Sequence, residues 1–336
     1  MKKYLLPKVG NFYKANLHVH STYSDGRWLP REIKKAYMEM GFSIVAFTDH
    51  NILIPHHDLT DDDFLALTGV EIDIDEGAPT WTFDPCLHFC AIALDPENDV
   101  QPCWHRSNYQ CQNVVYHKNE VKFDDSLPDY VRECTVECAN DMMKTFMDKG
   151  FFVTYNHPSW SLETYPTYMQ YKHMHAMEIC NWGSTYNGYE DRCSKEYDDF
   201  LRHGRKLFCI AADDAHMRGC VDAFGAFTMI KSEKLEYKSV TKALTNGDFY
   251  ASEGPFIYDL WYEDGFVHIT FEEAKEAFIT KGTRNSSRAS SKDGELITEA
   301  AFPVDSDDIY FRITVVAPDG KRAYTNAYFI EDIIGE

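Results

Sequence analysis

The chain has 336 residues, 44% of them apolar and 15% aromatic, enough for one large α/β domain and a smaller one with a substantial core. Lysine and arginine number 33 against 54 aspartates and glutamates, and the resulting net charge of −21 argues against a long nucleic acid held on a basic surface. No run approaches about twenty consecutive apolar residues, so no membrane span is expected. The opening Met1-Lys-Lys-Tyr-Leu-Leu-Pro lacks the apolar stretch of a secretory signal, and the ten cysteines are scattered with no C-x-x-C pair, so a reduced, cytoplasmic protein is expected.

In chain order, Asn16-Leu-His18-Val-His20 ends a predicted strand and leads into the turn Ser24-Asp25-Gly26. Pro30 to Met40 carries apolar residues at Ile33, Ala36, Tyr37 and Met40, opened by Pro30 and closed by Gly41, which predicts a helix. Ser43 to Phe47 is a buried strand delivering Thr48-Asp49-His50, and Glu71 and His88 fall inside two further strand-like runs. Residues 97–126 show no clear period and read as a loop or lid. Leu127 to Lys149 reads as a helix closed by Gly150, after which Phe151–Tyr155 delivers Asn156-His157-Pro158. Tyr189 to His203 reads as a helix closed by Gly204, after which Leu207–Ala211 delivers Asp213-Asp214-Ala-His216. This alternation implies a mainly parallel sheet, open or closed, and ligands at several carboxyl ends favour a barrel with its site on that face.

From about residue 252 the pattern changes to two hairpins. One turns at Asp264-Gly265 between Phe256–Tyr262 and Phe266–Phe271; the other turns at Pro318-Asp-Gly320 between Ile309–Val316 and Ala323–Ile330. Residues 283–292 form a polar loop between them. The expected organisation is a catalytic domain over 1–251 and a small β-sandwich-like domain over 252–336.

Nine side chains stand out: His18, His20, Asp25, His50, Glu71, His88, His157, Asp214 and His216. A single His-x-His pair is weak evidence, and His173-Met-His175 is the chain's own control. It precedes the strand Ala176–Ile179, so it belongs to the amino end, away from a carboxyl-face site. His56, His57, His105, His117 and His268 read as solvated. The nine differ because their placements agree. His18 and His20 share one face of a strand, as do Asp214 and His216, and Glu71 would be costly to bury without a metal or partner. Mixed imidazole and carboxylate donors suit Zn, Mn or Fe.

The ordered set His18-x-His20, Ser24-Asp25-Gly26, Thr48-Asp49-His50, Glu71, His88, Asn156-His157-Pro158 and Asp214-x-His216 resembles the PHP (polymerase and histidinol phosphatase) superfamily of metal-dependent phosphoesterases. The match runs from Asn16 to Gly219. It implies a distorted (β/α)7 TIM-like barrel, and the β-rich tail more weakly resembles an extension of some two-domain members. The resemblance also implies three divalent ions, Zn, Mn or Fe. One would be held by His18, His20, Glu71 and Asp214, a second by Glu71, His88 and His157, and a third by Asp25, His50 and His216. Some relatives have His at the position of Asp25, which leaves the third metal's identity open.

The expected reaction is hydrolysis of a phosphate ester by metal-bound hydroxide, with Asp214 and His216 at the reacting centre and no covalent intermediate. Arg218 is the expected phosphate clamp, with Asn156, Asn181 and Trp182 as further substrate contacts. A phosphomonoesterase on a small metabolite or nucleotide is the leading reading. The alternatives are a phosphodiesterase on cyclic phosphates or short oligonucleotides, a non-catalytic metal-binding module, and an amide hydrolase.

Overall fold

The computed structural model describes residues 2–75, 82–217, 219 and 221–334. Its strands in chain order are β1 (Lys3–Tyr4), β2 (Asn11–Asn16), β3 (Ile44–Phe47), β4 (Leu65–Ile74), β5 (Leu87–Ala93), β6 (Phe151–Tyr155), β7 (Ala176–Asn181), β8 (Phe208–Ala212), β9 (Phe227–Ser232) and β10 (Phe249–Ser252). There follow β11 (Ile257–Glu263), β12 (Phe266–Ala274), β13 (Glu276–Lys281), β14 (Ser287–Ala289), β15 (Ile297–Pro303), β16 (Tyr310–Val316), β17 (Arg322–Thr325) and β18 (Tyr328–Phe329).

One sheet runs in the order β14-β13-β16-β17-β10-β9-β2-β3-β4-β5-β6-β7-β8. The fold is α/β, with β2, β3 and β4 parallel and β6, β7 and β8 parallel. Between these two groups β5 runs antiparallel to both neighbours. Antiparallel neighbours, unlike parallel ones, need no long crossover between them. The reversal has a consequence for the site: His88, at the beginning of β5, pairs with Asp73 near the carboxyl end of β4.

The expected closed barrel is not what the strand ladder forms. The path ends at β8, and the gap to β9 is bridged by a side chain: Thr228 Oγ1 accepts from Ala211 N at 3.2 Å and donates to its carbonyl at 3.0 Å. Beyond the strand ends an isolated parallel bridge joins Val19 to Ala215. There His20 N donates to Ala215 O at 3.0 Å, and Asp214 N to His18 O at 3.0 Å.

The helix Pro30–Glu39 forms as its period predicts and buries Ile33 and Tyr37. Two predicted helices start later than expected. The first covers only Val136–Asp148, because Thr135 caps it by accepting from Cys138 N, while Leu127 and Val131 upstream are exposed. The second covers Ser194–Arg202, because Asp191 holds the preceding chain in a connector: its carboxylate accepts from Ser159 N and Trp160 N, and its carbonyl from Asn181 N.

Past β10 the chain extends the same sheet through β17, β16 and β13, so the strands on either side of residue 252 share one ladder. A second sheet, β1-β11-β12-β15, lies over it. Leu260, Val267 and Ile269 of that sheet and Phe311, Ile313 and Val315 of β16 belong to one buried apolar cluster. The β11–β12 hairpin turns at Asp264 and Gly265, both at positive φ, as a two-residue primed turn requires. Among the described residues no helix is long and apolar enough to cross a membrane.

Candidate metal centre

The nine side chains converge at the rim where β4 ends and β5 begins. Leu17 and Val19 are buried on one face of the segment after β2, which leaves His18 and His20 together on the other. His50 reaches Glu71 through an isolated parallel bridge, and Asn51 N donates to Glu71 O at 2.7 Å. His157 and Asp214 both sit at positive φ, 24° and 54°, a conformation that costs energy and clusters at functional sites.

Glu71 is the hub. Its Oε2 lies 3.2 Å from His18 Nε2, 3.2 Å from His20 Nε2 and 3.3 Å from His50 Nδ1. Its Oε1 lies 3.2 Å from both His88 Nδ1 and His157 Nε2. Asp214 Oδ1 lies 3.3 Å from His18 Nε2 and 3.1 Å from His20 Nε2. Asp25 stands on the far side, with Oδ1 3.8 Å from His50 Nε2 and Oδ2 3.2 Å from His216 Nε2.

Four groups have donor atoms close enough to share an ion: His18, His20, Glu71 and Asp214; His20, Asp25, His50 and His216; His50, Glu71 and His88; and His18, His157 and Glu178. The donor chemistry suits a borderline divalent metal. Several of these atoms, His20 Nδ1, His50 Nδ1, Glu71 Oε2 and Asp214 Oδ1, are buried with no hydrogen-bond partner, so the residues fit cations better than they fit one another.

Electrostatics agree. Burial alone would push the His18 imidazole down, but Asp214, Glu71 and Glu178 hold it well above its usual value. The same contest leaves His20 at about 10, with Asp214 and Glu71 prevailing over burial. Burial would raise Glu71, yet the surrounding histidines, His18 foremost, hold it well below the carboxylate range. Burial and the charge of His20 depress His50. The site demands positive charge, whether protons or metal ions supply it.

The remaining expected contacts are placed differently. Asn156 is fully buried among Thr154, Cys90 and Glu71. Asn181, also fully buried, donates to Glu178 Oε2 at 2.9 Å and caps the short helix Trp182–Tyr186 by accepting from Ser184 N. Both support the cluster from behind. Trp182 is half-buried and donates from Nε1 to Val221 O at 3.1 Å. Arg218 lies outside the described residues. His175 accepts from Val153 N and stacks on Phe152, remote from the cluster. His56 is a correction: it is buried, edge-on to Tyr23 and Phe47, because the loop folds inward over β3.

Sequence reasoning missed several residues. Glu178 on β7 is 1% exposed, with Oε1 2.7 Å from His18 Nδ1 and Oε2 accepting from His157 N at 3.1 Å. Its signal was a carboxylate inside the apolar run Ala-Met-Glu-Ile-Cys, the same signal that singled out Glu71. Asp49 holds the turn that carries Asp25 by accepting from the backbone and hydroxyl of both Ser21 and Ser24. Asp213 turns away from Asp214 and accepts from Asn16, Tyr37 and the backbone of Phe224, Gly225 and Ala226. Trp160 is half-exposed, its ring 5.1 Å from those of both His88 and His157. Segment 97–126 is docked rather than loose. Asn113 donates to Ser24 O and Thr22 O, His117 stacks on Tyr23 at 4.1 Å, and Gln101 bonds Leu53 N and Asn51 O.

No family model and no curated protein matches the chain. Among solved structures, the chain is similar to a two-domain protein containing a predicted PHP-like metal-dependent phosphoesterase from Bacteroides vulgatus, at 15% identity and TM-score 0.46, over 97% of this chain and 98% of that one. It is similar to a protein assigned as a metal-dependent phosphoesterase from Bifidobacterium adolescentis, at 15% identity and TM-score 0.39, over 64% of this chain and 90% of that one. An amidohydrolase from Chromobacterium violaceum, with bound sulfate and no metal, is similar at 17% identity and TM-score 0.40, over 61% and 88%.

Proposed function

We propose that the chain is a metal-dependent hydrolase of phosphate esters, acting as a phosphomonoesterase on a small metabolite or nucleotide. The observation that carries the reading is the division of Glu71, whose two carboxylate oxygens face separate sets of imidazoles. In this reading His18, His20, Glu71 and Asp214 hold one ion, Glu71, His88 and His157 a second, and Asp25, His50 and His216 a third. When bound, such ions supply the charge that polarises phosphoryl oxygens and activates water.

The protein's own groups do the rest. Glu178, against His18 Nδ1, leaves Nε2 facing Glu71 and Asp214 and fixes the ring's orientation. Trp160 walls the side formed by His88 and His157 and offers an aromatic face to the alcohol portion of a substrate. A covalent thiol route is disfavoured at the nearest cysteine, because burial pushes the Cys90 thiol up to about 11 and keeps it neutral. We read the seven strands from β2 through β8 as the arc of a distorted TIM-like barrel that the ladder leaves open, with residues 252–336 buttressing it.

The test is phosphate or alcohol release from a panel of mono- and diesters with Mn, Zn or Fe supplied, against an Asp214→Asn variant of verified fold and metal content. Turnover of monoesters that disappears in the variant supports the reading, and turnover confined to diesters moves it to the phosphodiesterase alternative. A panel left untouched by fully loaded protein would argue for a binding module instead.

A further inference from the structure

We infer that Arg132 grips the phosphoryl group of the substrate, offering the Nε–Nη2 edge of its guanidinium to two phosphoryl oxygens; the inference rests on the phosphoesterase reading above. The side chain is 6% exposed and enters from the segment just before the helix Val136–Asp148. Nη1 makes all its anchoring bonds, to Asn51 Oδ1 at 2.5 Å, to the Asp73 carbonyl at 2.7 Å and to Asp73 Oδ1 at 3.2 Å. The guanidinium lies over the ring of Tyr109, 4.4 Å from its centroid, and the Tyr109 hydroxyl accepts from Arg132 N at 2.8 Å. Plane and direction are therefore set by one nitrogen and one stacking face.

The opposite edge is left over. Nε is buried with no hydrogen-bond partner, and Nη2 donates to no described residue. That edge is a parallel pair of N–H groups that matches two oxygens of a phosphate or carboxylate. A guanidinium serving only to tie loops together would turn this edge to Asp73, yet Asp73 is met by Nη1 alone. A buried donor without an acceptor is unfavourable, and an incoming anion corrects it.

Both anchors belong to the rim of the metal centre. Asn51 follows His50 directly, and Asp73 is two residues beyond Glu71 on the same face of β4, opposite His88. That spacing places Asp73 about 6.8 Å further along the strand. Asn51 and Asp73 thus hold the Arg132 guanidinium beside the residues that would hold the ions, and in the proposed role its unpaired edge meets the phosphoryl group there.

Binding of inorganic phosphate to the full-length, Mn-loaded protein, followed by titration calorimetry, tests this without relying on turnover. Arg132→Lys, with metal content and unfolding temperature retained, is expected to weaken phosphate about tenfold or more and to raise KM for the ester. Unchanged phosphate affinity in that variant overturns the inference. If replacing Arg132 unfolds the protein, Tyr109→Leu keeps every Nη1 bond and removes the stacking face. A several-fold loss of phosphate affinity is then expected, and no loss overturns the inference. Loaded wild-type protein that neither binds phosphate nor hydrolyses any ester overturns the phosphoesterase reading and this inference together. Firm phosphate binding that ignores both substitutions removes Arg132 alone.

Discussion

Glu178 Oε1 lies 2.7 Å from His18 Nδ1, with both side chains essentially fully buried. A carboxylate behind an imidazole fixes its tautomer and raises its basicity as a ligand. Glu178→Gln is expected to lower metal affinity by about 10- to 100-fold while leaving the fold intact. Competition against a fluorescent chelator measures this, and an affinity equal to wild type would remove Glu178 from the site's support.

Chelation should destabilise the whole protein. An ion that binds only the folded state contributes about 2.7 kcal/mol when present at a hundred times its Kd. Removing it also leaves Glu71 and Asp214, buried among histidines, without their cations. The expected result is a fall of several degrees in Tm on chelation, restored by adding Mn or Zn. A Tm that stays constant through verified metal loss would contradict ligation by these residues.

Glu163 predicts a pH dependence of stability. Burial raises its carboxyl to about 7, and hydrogen bonds from Tyr155 and Tyr171 only partly counter this. The folded pKa thus lies above the ordinary 4.5. Its stabilising contribution is complete below that ordinary value and is lost as pH rises through about 7. Glu163→Gln keeps an acceptor for the tyrosines but does not titrate. Denaturant unfolding at pH 5 and pH 8 should show the variant gaining on wild type at the higher pH; an identical difference at both would refute the assignment.

Gly225 is required by contact rather than by conformation. A Cβ there would stand 2.0 Å from the Trp182 ring, so Gly225→Ala must displace the indole or the loop. The loop's backbone N–H groups hold Asp213, next to Asp214. A loss of about 1–3 kcal/mol is expected, with a changed tryptophan emission spectrum. Wild-type stability together with an unaltered spectrum would show that the loop yields freely.

What the sequence makes legible is what each strand delivers. His50, His157 and Asp214 each follow an apolar run, and alternation puts His18 with His20 on one face, so the convergence of nine side chains can be read without coordinates. Relations between distant segments are not legible in that way. Arg132 falls in a stretch whose composition suits a helix, and only its bonds to Asn51 and Asp73 reveal its setting. The reversal of β5 depends on how the chain returns from β4, which no periodicity records. The sheet's open edge depends on a single threonine hydroxyl, Thr228, satisfying β8 where a strand was expected.

β2 lies in the middle of the sheet, and its antiparallel neighbour β9 is made some two hundred residues later, Tyr13 pairing with Ile230. The earliest histidines of the centre, His18 and His20, therefore stay apart from Asp214 and Ala215 until most of the polypeptide has been synthesised. Pairings this distant in sequence make for slow folding. Asp214 and His216 are the last two of the nine donors to be made, so a nascent chain can hold the other seven without the complete geometry to capture an ion.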